Sequence, residues 1–295
     1  MRETEWPTLG LLGGCYLFWI GLTAWHDAVG YAIAVPLLAI VLAQYSSLQH
    51  EVLHGHPFRQ AGLNELTVFA ALPIWLPYRR FRDLHLKHHR VPTLTDPHDD
   101  PESFYLPATR WRVVGPWMYA ALTFNNTLLG RMLIGPALAI ASFLATEAAR
   151  LAADERGVRR AWALHVLGLV PVLAWLWWTG FSPLAYLAAV YGGLSLLMIR
   201  TYLEHQAAES PEARTVIVER GGPLALLFLN NNLHAVHHER PSVPWYRIPA
   251  IYRAERARYL ARHGDYRYRS YWDVIRRHFL APKEPVLWPL DPQAR

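Results

Sequence analysis

The stretch His85-Leu86-Lys87-His88-His89 decides the fold, because its spacing returns about 150 positions later as His234-Ala235-Val236-His237-His238. A third cluster, His50-Glu51-Val52-Leu53-His54, precedes both. Residues three and four apart share one face of a helix, so each cluster can bring its imidazoles to a point. Neutral imidazole suits zinc, copper, iron and nickel, and eight imidazoles exceed what one four-coordinate ion takes. Two metals are the simpler reading. A lone histidine in a helix is more often a capped or core residue than a ligand, but three clusters at ligand spacing reverse that expectation.

Outward from the clusters the chain is apolar, with 53% hydrophobic residues and 13 Trp in 295 positions. The apolar residues concentrate at 9–25, 31–48, 161–179 and 183–199. Each run approaches the roughly 20 residues that cross a bilayer core of about 30 Å. The expected fold is an all-α integral membrane protein: two or three transmembrane helical hairpins under a histidine-bearing cap, in one domain over residues 1–295. A further pair of spans within 117–149 is open, because Gly130-Arg131 interrupts that stretch. An Arg at mid-bilayer costs about 2.5–3.5 kcal/mol on insertion scales, so Arg131 belongs at an interface. Residues 62–77, broken by Pro73 and Pro77, are too short to span and are expected to lie at the interface or re-enter.

The turns at 26–30 and 180–182 lack Lys and Arg, whereas 78–82 and 150–160 are rich in Arg. The positive-inside rule therefore puts those two turns outside and all three clusters on the cytoplasmic side of a multi-pass protein. The formal net charge of +6 arises from basic residues interleaved with Trp and Tyr, which fits a membrane surface and argues against nucleic acid. The tail, 244–295, reads as one or two basic amphipathic helices resting on lipid headgroups. Residues 215–218 read as a brief strand. The mixed charges of Arg2, Glu3 and Glu5 do not make a cleaved signal peptide. The single Cys15 sits in the first apolar run, which excludes a disulfide framework and a Cys-ligated iron–sulfur centre.

Ligand imidazoles are commonly held through their second ring nitrogen. The acidic turn behind the second cluster, with Asp96 and Asp99, supplies candidates for that role, as do Glu51, Glu204 and Asn232. His56 falls outside the cluster pattern and reads as structural. His50-Glu51-Val52-Leu53-His54 also matches H-E-x-x-H, the helical zinc motif of metalloproteases, in which the Glu is the general base. An intramembrane zinc protease would leave the two H-x-x-H-H clusters without a role. A His-lined metal transporter would distribute ionisable residues along the spans, where His165 is one of very few.

The three clusters resemble the histidine boxes of the membrane fatty acid desaturase and hydroxylase superfamily, H-x(3)-H, H-x(2)-H-H and H-x(2)-H-H. All eight positions are present: His50 and His54; His85, His88 and His89; His234, His237 and His238. The resemblance implies two non-haem irons at the cytoplasmic face and O2 as co-substrate. It also implies a monooxygenase or desaturase reaction at an unactivated C–H bond of a lipid or hydrocarbon. The high-valent oxidant such a bond requires is outside the chemistry of zinc. A fused cytochrome b5 or rubredoxin is not expected from these residues, so the resemblance implies an external donor: ferredoxin, rubredoxin or cytochrome with its reductase. Tyr202-Leu203-Glu204-His205 is similar to the corresponding segment of membrane alkane hydroxylases, and other features are similar to carotenoid ketolases and acyl-lipid desaturases. That similarity, and its position just beyond the last span, make His205 an expected ninth ligand, with Glu204 orienting an imidazole.

Overall fold

The computed structural model describes residues 4–111 and 113–291. The single domain expected from the sequence resolves into two compact units, and each is assembled from two separate segments: 1–83 with 136–197, and 84–135 with 198–295. Neither is a contiguous piece of chain.

The first unit holds the apolar helices Trp6–Ala24, Tyr31–Leu53 and Arg156–Thr179, and most of Pro183–Glu204. Among the described residues these are the four helices long and apolar enough to cross a membrane. Their outward side chains are large and apolar, as lipid contact requires: Leu17, Phe18, Trp177 and Leu184 are exposed. Inward, polar atoms pair between helices. Trp19 Nε1 donates to Tyr186 Oη at 3.0 Å, and Trp175 Nε1 donates to Thr23 Oγ1 at 2.9 Å.

The broken stretch after the Ala61–Thr67 helix is held among these helices by its own carbonyls. Tyr16, Tyr45 and Tyr186 donate to the carbonyls of Thr67, Ala70 and Leu72 at 2.8, 2.7 and 2.7 Å. His165 Nε2 lies 2.9 Å from the carbonyl of Ile74. A peptide oxygen only accepts, so His165 is a donor that satisfies irregular backbone and not a station on an ion path. Irregular backbone at such depth is tolerated only where protein satisfies it. Gly168 permits the approach, since a Cβ there would stand 2.3 Å from the carbonyl oxygen of Phe69.

Among the described residues no helix in the stretch left open for a third hairpin is both long and apolar enough to span. Residues 116–152 form three helices, Pro116–Asn125 of 10 residues, Leu128–Leu133 of 6 and Gly135–Ala152 of 18. At 1.5 Å per residue the first covers about half of a bilayer core. The last carries Glu147, buried and clamped by the Arg80 guanidinium at 2.7 and 2.8 Å. Arg131, expected at a membrane interface, is buried in the second unit. It donates to the carbonyl of Asn125 at 3.1 Å, and its guanidinium lies 5.0 Å from the Phe104 ring centroid. Gly130 beside it has no room for a side chain: a Cβ would fall 1.8 Å from the carbonyl oxygen of Phe124.

The tail is also corrected. Helix Ile248–Arg262 is followed by strand Arg267–Ser270 and helix Tyr271–His278. The strand pairs in parallel with Ile217–Arg220, a strand two residues later than expected, with Ile217 opposite Arg267. Tyr252, Tyr259, Tyr266, Tyr268 and Tyr271 are buried, and two of them pack with Ile217, Leu233, Val236 and Ile248. One face of the tail is therefore core of the second unit, and only the other is available to headgroups.

Candidate metal centre

The second and third boxes both lie in the second unit, the first of them at the end of helix Tyr78–His88 and the other on helix His234–Glu239. The helical turn places His85 and His89 side by side, with their Nε2 atoms 3.0 Å apart. A donor nitrogen of His237 joins them within 4.8 Å. His88, His205 and His238 form a second group on the same criterion. His205 is central there, since its Nε2 lies 3.0 Å from His88 Nε2 and 3.1 Å from His234 Nε2.

What points each ring inward is the partner of its other nitrogen. His88 Nδ1 meets Asp100 Oδ1 at 2.7 Å, His205 Nδ1 meets the carbonyl of Arg214 at 3.3 Å, and His234 Nδ1 meets Asn231 Oδ1 at 2.9 Å. Asn231 is oriented in turn, because its Nδ2 donates to Glu204 Oε1 at 2.5 Å, and Arg200 holds the same oxygen at 2.7 Å. A carboxylate, a peptide oxygen and an amide oxygen can only accept. Each Nδ1 therefore carries a hydrogen, which makes Nε2 the ligand atom of each ring in its neutral form. The neutral rings of His205 and His234 face each other with two Nε2 lone pairs across 3.1 Å and no hydrogen between them, an arrangement that a cation relieves. In the other group His85 Nδ1 meets Glu102 Oε1 at 2.8 Å, which leaves its Nε2 in the same state.

Burial and neighbouring imidazoles hold His205 and His234 well below the ordinary histidine range, so both rings are neutral and in ligand form. Burial also pulls on His88, but Glu102 and Asp100 outweigh it and lift that ring to about 9.

In the first unit the helix Tyr31–Leu53 carries His50, buried, with His54 as its last cap and the two ring centroids 5.0 Å apart. Glu51 turns elsewhere on that helix. Its Oε1 is 3.8 Å from His56 Nε2, and His56 Nδ1 bonds Glu5 Oε1 at 2.7 Å, so His56 sits fully buried between two carboxylates.

Several expected supporting residues are replaced by near neighbours. Asp96 accepts from the backbone N–H of His98 and Asp99 from Thr93 Oγ1, so neither holds an imidazole; Asp100 and Glu102 do. Asn232 donates to the carbonyl of Val218, and the amide that bonds a box histidine is that of Asn231. Glu204 acts through Asn231 and also stands 3.7 Å from His234 Nδ1. The sequence reading missed Lys283 altogether. Its ammonium is buried under the second group and donates to the carbonyl of His205 and to Tyr266 Oη, both at 2.8 Å.

Clusters of imidazole donors able to hold a metal, in a chain with four apolar helices long enough to cross a membrane, point to a class: integral membrane proteins with a histidine-lined metal site. The chain belongs to the fatty acid desaturase family, whose model matches residues 23–272. It is similar to the human sphingolipid delta(4)-desaturase/C4-monooxygenase DES2, at 26% identity over 90% of this chain and 76% of the relative. The mouse protein of the same name is also 26% identical, over 92% of this chain and 77% of the relative. The protein is thus a membrane desaturase/hydroxylase-type oxidoreductase, and the protease and transporter readings fall away.

Proposed function

We propose that the chain is an O2-dependent, non-haem di-iron enzyme that desaturates or hydroxylates an unactivated C–H bond of a lipid. The observation that carries the metal is the pair of facing Nε2 lone pairs on His205 and His234, each with its Nδ1 hydrogen already committed, with His88 Nε2 3.0 Å from that of His205. His88, His205, His234 and His238 would hold one iron. His85, His89 and His237 would hold the other, with His50 and His54 completing that set by the box pattern. When bound, iron supplies the oxidant for C–H cleavage. The chain's own part is to orient His85, His88, His205 and His234, through Glu102, Asp100, the Arg214 carbonyl and the Glu204–Asn231 pair. The names of the relatives make sphingolipid precursors the first substrates to try. Electrons come from an external ferredoxin, rubredoxin or cytochrome with its reductase; a single buried cysteine, Cys15, supports this in that it leaves no cysteine-ligated iron–sulfur carrier in the chain.

Detergent-purified protein is expected to contain two irons per chain and to form product only with both O2 and an electron donor. Metal analysis returning a single zinc with full activity, or product under anaerobic conditions, would refute this reading. The proposed orientation has a separate test. Lys87 is exposed beside the second box, and in a Cys15→Ser background Lys87→Cys should react with an impermeant thiol reagent only after cells are opened. Labelling in intact cells would place the boxes outside.

A further inference from the structure

A second polar site lies in the tail, apart from the histidines. Arg220, Arg256, Arg267, Arg269 and Arg276 line one cleft of about 550 Å³, together with Glu219, Asp273 and Trp272. Both carboxylates are already engaged. Glu219 accepts from Arg256 at 2.7 Å and from Tyr252 Oη at 2.8 Å, and lies 3.7 Å from Arg267. Asp273 pairs with Arg277, which is not part of the cleft wall, at 2.9 Å. The guanidinium groups of Arg220, Arg269 and Arg276 meet no carboxylate among the described residues, although the backbone N–H of Arg269 donates to Asp273 Oδ2 at 3.3 Å. Five guanidinium groups line a cleft that holds two carboxylates, so the cleft carries an excess of positive charge. An anion relieves it, and guanidinium forks match phosphate oxygens two at a time.

The wall beside the arginines selects among anions. Helix Tyr271–His278 buries Tyr271 and Val274 and exposes Trp272 by 65% into this cleft. Phe279 and Leu280 follow, exposed by 42% and 69%. Free phosphate gains nothing from the Trp272 ring in the cleft wall, whereas an amphiphile sets its phosphate on the arginines and its apolar part against that indole. Interfacial helices with Arg on one side and Trp, Phe and Leu on the other use this division. We infer that the cleft between strand Arg267–Ser270 and helix Tyr271–His278 binds the headgroup of an anionic phospholipid. The site is independent of the iron, so its test needs no turnover.

Native mass spectrometry of the delipidated full chain in detergent reads the binding directly. Phosphatidylglycerol should be retained about tenfold more than phosphatidylcholine with the same acyl chains. Each basic group near an anionic surface contributes about a factor of five, so Arg220→Gln, Arg269→Gln and Arg276→Gln together should cost about a hundredfold. The single change Arg269→Gln, at an exposed position, should cost about fivefold with an unaltered circular dichroism spectrum. The triple Lys variant should keep most of the preference. Equal retention of the two lipids, or an unchanged triple Gln variant of native helix content, would overturn the site. Inorganic phosphate displacing the lipid at millimolar concentration would make it a soluble-anion site and overturn the lipid assignment.

Discussion

His205→Ala is expected to purify folded, with about one iron per chain in place of two, and with turnover lost beyond the 10–100-fold typical of removing a partner of a ligand. The side chain is the hub of its group, at 3.0 Å from His88 Nε2 and 3.1 Å from His234 Nε2, with its ring centroid 4.9 Å from that of His238. Its backbone is secured independently of the imidazole. His205 bridges to Thr215, and its carbonyl takes the Lys283 ammonium at 2.8 Å, so truncation leaves the segment in place. Iron per chain, measured after gel filtration, separates a lost ligand from a lost fold. His98→Ala is the matched control, because His98 is exposed in the acidic turn of the same unit. His26 would serve badly, being buried and bonded through Nδ1 to the carbonyl of Thr23 at 2.9 Å. A His205→Ala protein with two irons and near-normal turnover would return His205 to a structural role.

The boxes could be found in the sequence because metal ligation imposes a spacing that helices make visible, and the four long helices because lipid imposes a length. Lys283 obeys neither rule. It lies 78 positions from the carbonyl it holds, and nothing local distinguishes it from the basic residues around it. The same limit explains Arg131. On insertion scales it belongs at a boundary, but Asn125, Phe104 and Tyr202 give it a polar and aromatic niche that only the folded chain assembles. In the tail, the tyrosines alternate with arginines, and composition alone assigned the whole segment to a surface. Their burial depends on the strand Ile217–Arg220, about 50 residues earlier, which gives Tyr268 its place opposite Val218.

The acidic turn is an intermediate case, since its loop was identified but its working residue was not, and Asp100→Asn tests the difference. Asp100 is 5% exposed and accepts three N–H groups: His88 Nδ1 at 2.7 Å, the backbone of Thr95 at 2.8 Å and that of Glu102 at 2.9 Å. Asn keeps the shape but has one accepting oxygen, and its NH2 must face a donor. One buried donor is then left unsatisfied, at a cost of about 1–3 kcal/mol, and His88 loses the negative partner that fixes its tautomer. Iron in the second group should be held about 10–100-fold more weakly, measured as the chelator concentration that removes half of it. Asp99→Asn should change nothing of the kind, because Asp99 is exposed and accepts only from Thr93 Oγ1, at 2.8 Å, among the hydrogen bonds that fix this turn. If Asp100→Asn kept iron as tightly as the parent while Asp99→Asn released it, the carboxylate that steadies His88 would have been misassigned.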